Sequence, residues 1–141
     1  MATTELNELN RIADMISGGA NGVYQWYRDA FNKKFIYSAC VEEFAQRAKC
    51  YWFLTDMATV YAKKTTDGLN IVMLESKDNK AIITIYHDYD SSMSEEGNFK
   101  TYGIFKSEEI WTDLTEGNVK FYLFNETDID GTYKLFFPSE Y

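Results

Sequence analysis

The chain has 141 residues, with 14 Lys and Arg against 22 Asp and Glu, one histidine and a formal net charge of -8. At 45% hydrophobic and 17% aromatic it carries enough apolar surface to bury a core, which excludes disorder as its main state. Its apolar runs, such as Cys50 to Leu54, fall far short of the roughly 18–20 residues of a membrane span, and Met-Ala-Thr-Thr-Glu lacks the basic-then-apolar pattern of an export signal, so a cytoplasmic protein is expected.

The charge is unevenly placed. Residues 1–70 hold eight acids and eight bases, whereas residues 71–141 hold fourteen acids and six bases, so the second half carries the whole excess. Hydrophobic patterning changes at the same point. The expectation is a single domain over 1–141, with 1–68 mainly helical and 69–141 mainly antiparallel strands. In outline that is an α+β fold with three or four N-terminal helices packed on a roughly five-stranded antiparallel sheet.

Leu6, Leu9, Ile12 and Ile16 recur at helical spacing after Thr3 and Thr4, either of which suits a cap, and Gly18-Gly19 stops the run. Tyr24, Tyr27 and Phe31 form a second short apolar stripe up to the Asn32-Lys33-Lys34 break, and Phe35-Ile36-Tyr37 reads as briefly extended. Ser38 opens a longer helical region. Val41, Phe44, Ala45 and Ala48 give one apolar face, and Leu54, Met57, Ala58 and Tyr61 give another, ending at Thr65-Thr66-Asp67-Gly68. The pattern leaves open whether 39–64 is one helix or two. Cys40 and Cys50 lie ten residues apart, about 15 Å along a continuous helix and beyond disulfide reach, so both are expected as reduced, buried thiols.

Strands are predicted at Leu69 to Glu75, Ala81 to Asp88, Phe99 to Lys106, Val119 to Phe124 and Thr132 to Phe137. Short turns imply antiparallel hairpins. The polar stretch Asp90 to Asn98 reads as a surface loop. Alternation places Ala81, Ile83, Ile85, Val119, Phe121 and Leu123 on one face, and Ile82, Tyr86, Tyr122 and Phe124 on the other. The second face is therefore either covered by helix one and the long loops or open as a binding surface rimmed by Lys120 and Lys134.

Motifs for catalysis are absent: there is no phosphate-binding or dinucleotide glycine loop, no nucleophile elbow, no H-E-x-x-H and no Cys-x-x-Cys, so no catalytic residue and no cofactor is assigned. The one histidine, His87, shares a strand face with Ile83 and Ile85 and reads as a core-edge residue. Glu126-x-Asp128-x-Asp130-Gly131 imitates the start of a calcium loop, but the twelfth position is Phe137 instead of a bidentate Glu. A hairpin turn explains it better, and no metal is assigned. The acidic excess argues against direct nucleic-acid binding, which needs Lys and Arg against phosphate. It suits the reverse role, a field of carboxylates offered to the basic groove of another protein.

Three segments in order, Gly22-Val-Tyr-Gln-Trp-Tyr-Arg28, Cys50-Tyr-Trp-Phe-Leu-Thr-Asp56 and the ending Tyr133-Lys-Leu-Phe-Phe-Pro-Ser-Glu-Tyr141, resemble a family of small bacterial and phage domains of unknown function. That family pairs a Tyr-Trp-Leu-x-Asp helix with a terminal Leu-Pro-Ser-Glu-Tyr, and Phe137 stands where Leu is usual. The resemblance covers roughly 21–141 and implies an α+β fold and residence on phages and mobile elements, with no catalytic residues to carry over. The tail reads as a clasp, with Pro138 ending the last strand, Glu140 meeting a base or a helix N-terminus, and Tyr141 tucked into the helices.

The expectation is a non-enzymatic interaction protein that inhibits a host nucleic-acid-binding defence protein, as an anti-CRISPR does. Its acidic contacts would be Asp88, Asp90, Glu95, Glu96, Glu126, Asp128 and Asp130, and its aromatic face Tyr86, Tyr102, Tyr122, Phe124 and Phe136 with Lys120 and Lys134. One alternative is a small-ligand binder that stacks a nucleotide signal on the same rings, with Lys120 or Lys134 on its phosphate. A structural homodimer burying that face is the other.

Overall fold

The computed structural model describes residues 8–17, 22, 23 and 25–141. Helix α1 is Glu8–Ser17, followed by β1, Trp26–Arg28, and β2, Phe35–Ser38. Helix α2, Ala39–Ala48, is capped by the Ser38 hydroxyl, which accepts the Val41 N–H at 3.2 Å. It ends where Lys49 turns left-handed at φ 57°. A new helix, α3, starts at once as Tyr51–Asp56, widens into a π turn over Met57–Tyr61 and tightens into a 3₁₀ turn over Ala62–Lys64. Residues 39–64 are thus two helical pieces broken at Lys49. Both cysteines are free thiols; Cys50 directly follows the break and is buried as expected, whereas Cys40, in the first turn of α2, is only half-buried.

Strands β3, Gly68–Lys77, and β4, Lys80–Tyr86, form a hairpin whose two turn residues, Asp78 and Asn79, both have positive φ. Helix α4, Glu95–Tyr102, leads into β5, Gly103–Lys106, and the short β6, Ile110–Trp111. Strand β7, Gly117–Glu126, pairs with β8, Thr132–Phe136, and a 3₁₀ turn at Pro138–Glu140 follows. The sheet runs β1-β2-β8-β7-β3-β4-β5, with β6 beside β4.

The α+β class stands, with two corrections. The sheet has eight strands and is mixed instead of five-stranded and antiparallel, because β2 from the front half pairs parallel with β8, Phe35 opposite Tyr133 and Tyr37 opposite Leu135. Hairpin β7–β8 leaves one edge of β8 unpaired, and a strand arriving from far along the chain is free to fill it in either direction. The helices are also not all N-terminal. Residues 99–102, predicted as strand, are helical because Ser94 accepts the Gly97 N–H at 3.1 Å and Glu95 and Glu96 stand in the first turn, where they oppose the positive helix end. Tyr27 belongs to a strand, and Phe31 is 76% exposed, so the predicted second stripe is not a helix. The expected caps at Thr3 and Thr4, the Gly18-Gly19 stop, and Tyr24 lie outside the described residues.

The inner face of the sheet carries the core. Odd-numbered residues of β7, Val119, Phe121 and Leu123, meet Val72, Leu74, Ala81, Ile83, Ile85 and Leu135, all buried, as predicted. Above them Phe121 contacts Phe44 of α2, Phe53 of α3 and Phe137 of the tail, at ring centroid distances of 5.6, 5.0 and 5.1 Å. Helix α1 lies on this inner side, not on the second face: the Leu9 N–H donates to the Glu116 carbonyl at 3.2 Å. Gly117 permits the approach, since a Cβ there would stand 2.5 Å from that of Leu9.

Candidate functional site

The outer face has two halves. On the first, Phe136 of β8 is 4% exposed and acts as a hub. Phe124 stacks on it at 5.7 Å, Tyr141 at 6.3 Å, and Tyr122 and Trp26 meet it edge-on at 6.0 and 6.1 Å. The register dictates this grouping, because β8 lies between β2 and β7 and even-numbered residues of β7 and β8 point the same way. The rim stays open: Tyr141 is 74% exposed and Trp26 37%. Tyr141 does not tuck into the helices, as expected from sequence, because the Pro138–Glu140 turn carries it over Tyr122, Phe124 and Phe136 instead.

On the second half, residues 87–102 fold back as a flap over Ile71, Met73 and Tyr86. Asn98, fully buried, holds its shape: the side-chain oxygen accepts the Asp90 N–H at 2.8 Å, and the amide donates to the carbonyls of Asp90 and Met93. Tyr89 and Phe99 pack edge-on against Tyr86, which is 3% exposed, and Tyr102 joins the same cluster. Tyr86 is therefore covered and Tyr102, itself on the flap, is half-buried; of the cover expected from helix one and the long loops, the loop segment supplies it and helix one does not. His87 lies past the end of β4, is exposed, and donates its N–H to the Tyr102 carbonyl.

The predicted carboxylates fall into two groups. Asp88, Asp90, Glu95 and Glu96 ride on the flap. Hydrogen bonds from Ser92 hold the Asp90 carboxyl below its ordinary value. Glu126, Asp128 and Asp130 sit in the β7–β8 turn, where the Glu126 carbonyl accepts the N–H groups of Ile129, Asp130 and Gly131 in ordinary hairpin fashion. Here Lys134 Nζ lies 2.7 Å from Glu126 and 2.6 Å from Asp130, so one of this group's three charges is offset. Lys120 Nζ stands 5.3 Å over the Tyr89 ring.

Sequence reasoning missed Glu75. It points outward from β3 into a cavity of about 270 Å³ shared with Thr84, Tyr86, Glu95, Glu96, Phe99 and Lys106. Glu95 accepts a hydrogen bond from the Asn118 amide at 3.0 Å and faces Glu75. Burial, then the neighbouring Glu95 charge, pushes the Glu75 carboxyl up, against a smaller pull from Lys106, and burial with the same carboxylates takes the Tyr86 phenol to about 12. The signal was one acid inside the apolar run Val72-Met-Leu-Glu-Ser76.

The linkage has a definite sign. The folded state holds the Glu75 proton more tightly than the unfolded chain, so below 4.5 both are protonated and the group is neutral in the balance, while ionisation at higher pH favours unfolding. Glu75→Gln is expected to raise the melting temperature at neutral pH, with the gain vanishing as pH falls below 4.5. Paired melts of the two proteins across pH check this, and a gain that persists in acid would refute it.

A model of the family of unknown function DUF6876 matches residues 19–141. The chain belongs to that family. In this DUF6876 chain the match takes in every strand, the flap, the aromatic hub and the tail, while α1 precedes it. No curated protein and no solved structure matches. Among the described residues no helix is long and apolar enough to cross a membrane.

Proposed function

We propose that this DUF6876 chain is a non-enzymatic binding protein of the cytoplasm that grips a basic protein partner on the outer face of its sheet. The observation that carries this reading is the open aromatic rim of Trp26, Tyr122, Phe124 and Tyr141 around a buried Phe136, beside the carboxylates of the flap. Interfaces concentrate their energy in Trp and Tyr anchors surrounded by polar groups, and carboxylates steer a basic partner onto them. A partner whose basic groove normally holds nucleic acid fits that charge, and occupying the groove would inhibit it, as in a phage or mobile-element protein acting against host defence.

A nucleotide fits this face less well. Lys134 is held by two carboxylates, Lys120 lies over Tyr89, and the rings already fill one another's stacking positions.

The test is native mass spectrometry of complexes recovered from host lysate at low salt, repeated with Trp26→Ala/Tyr141→Ala and Asp88→Lys/Asp90→Lys chains. The expected result is a basic, nucleic-acid-binding partner that both variants lose by about tenfold or more at unchanged melting temperature. A partner retained by both, a homodimer, or only a bound mass of a few hundred daltons would overturn the reading.

A further inference from the structure

A second surface, away from the outer face, has the opposite charge. The turn between β1 and β2 and the end of the helical segment at Ala62–Lys64 enclose an open groove of about 410 Å³ lined by Phe31, Asn32, Lys34, Thr59, Lys63 and Tyr133. We propose that this groove binds a small phosphorylated molecule with a planar ring, of the nucleotide class, through Lys34, Lys63 and Phe31.

The groove is built, not incidental. Asp29, 8% exposed, spends one carboxylate oxygen on the N–H groups of Phe31 and Asn32, at 2.7 and 2.8 Å, which fixes the turn. The Asn32 amide then donates to the Ala58 carbonyl at 2.8 Å, inside the π turn, and ties the two walls together. Such widened turns recur at functional sites because they misplace carbonyls that need outside partners. The third wall is pinned by the Tyr133 N–H, which donates to the Lys34 carbonyl at 2.7 Å.

The lining selects the ligand. Lys34 and Lys63 are exposed, and among the described residues neither forms an ion pair, although carboxylates outnumber bases by eight in this chain. Unpaired ammonium groups on two sides of one groove suit a phosphate. Phe31 offers an apolar ring, 76% exposed, which neighbouring packing does not explain and which a nucleobase would cover by stacking. The volume falls in the ordinary range for small-molecule sites. A long polyanion is disfavoured, because the net charge of -8 repels a phosphate backbone beyond the groove while a compact anion feels mainly the local lysines.

Equilibrium dialysis of the full chain at low ionic strength, with ATP, inorganic triphosphate and a 12-nucleotide RNA as probes, tests this. Saturable ATP binding is expected, weakened about tenfold or more by Lys34→Glu/Lys63→Glu at an unchanged melting temperature. Phe31→Ala is expected to weaken ATP but leave triphosphate alone. Absence of ATP binding, binding indifferent to the lysine changes, triphosphate held as tightly as ATP, or RNA held more tightly would each overturn the proposal. None of these results depends on the outer face, whose variants keep this groove intact.

Discussion

Replacing Phe121 with alanine is expected to lower stability by about 3–5 kcal/mol and the melting temperature by roughly 10–20 °C. Phe121 is fully buried, and its ring on β7 meets α2, α3 and the tail through Phe44, Phe53 and Phe137. Three aromatic neighbours from three separate elements cannot collapse together into the space left, so the cavity penalty adds to the lost transfer energy. Chemical denaturation of the two proteins measures it. A loss below about 1 kcal/mol would mean that the inner face repacks freely, contrary to the interlocking of Phe44, Phe53 and Phe137 around this ring.

The second large effect is expected at the tail. Glu140 is 4% exposed, and its Oε1 accepts hydrogen bonds from the Ser38 hydroxyl at 2.7 Å and the Phe137 N–H at 2.9 Å. Ser38 is the cap of α2, so a carboxylate from the end of the chain steadies the start of a helix a hundred residues earlier. The sequence reading offered a base or a helix N-terminus as its partner, and the N-terminus is the one found. The Ser139 hydroxyl adds a bond to the Ser17 carbonyl at 2.8 Å. Glu140→Ala strands both donors and weakens the cap, which costs about 2–3 kcal/mol. Deleting 138–141 is expected to cost more, and an unchanged melt would refute the clasp. A second readout is chemical. Burial, with Glu140 beside it, pushes the Cys40 thiol up to about 11, so Glu140→Gln should lower that value and speed Cys40 modification at mildly alkaline pH.

What was legible in the sequence was local periodicity. The alternation of Val119, Phe121 and Leu123 against Tyr122 and Phe124 set both faces of β7, and Lys77-Asp-Asn-Lys80 set the β3–β4 turn. Contacts between distant segments were not legible. Phe35-Ile36-Tyr37 read as extended, but nothing in those residues names β8 as a neighbour, because parallel pairing leaves no turn to find. Ser94-Glu95-Glu96 was a readable helix start that the polar look of 90–98 concealed. Of the hub, alternation along β7 placed Tyr122 and Phe124 on one face, but Trp26 and Tyr141 join it from other elements. Lys34 and Lys63 lie 29 residues apart in sequence, and the Asn32 bond to the π turn, which ties their segments together, leaves no mark in the sequence.

Strand β8 comes last of the eight in chain order, yet it takes the third place in the sheet. A nascent chain that has reached residue 131 already holds β2 and β7, each with an edge waiting for the same missing strand. Synthesis must therefore pass Phe136 before the sheet closes, and products truncated ahead of Thr132 lose an interior strand, leaving two bare edges open to pairing with other chains.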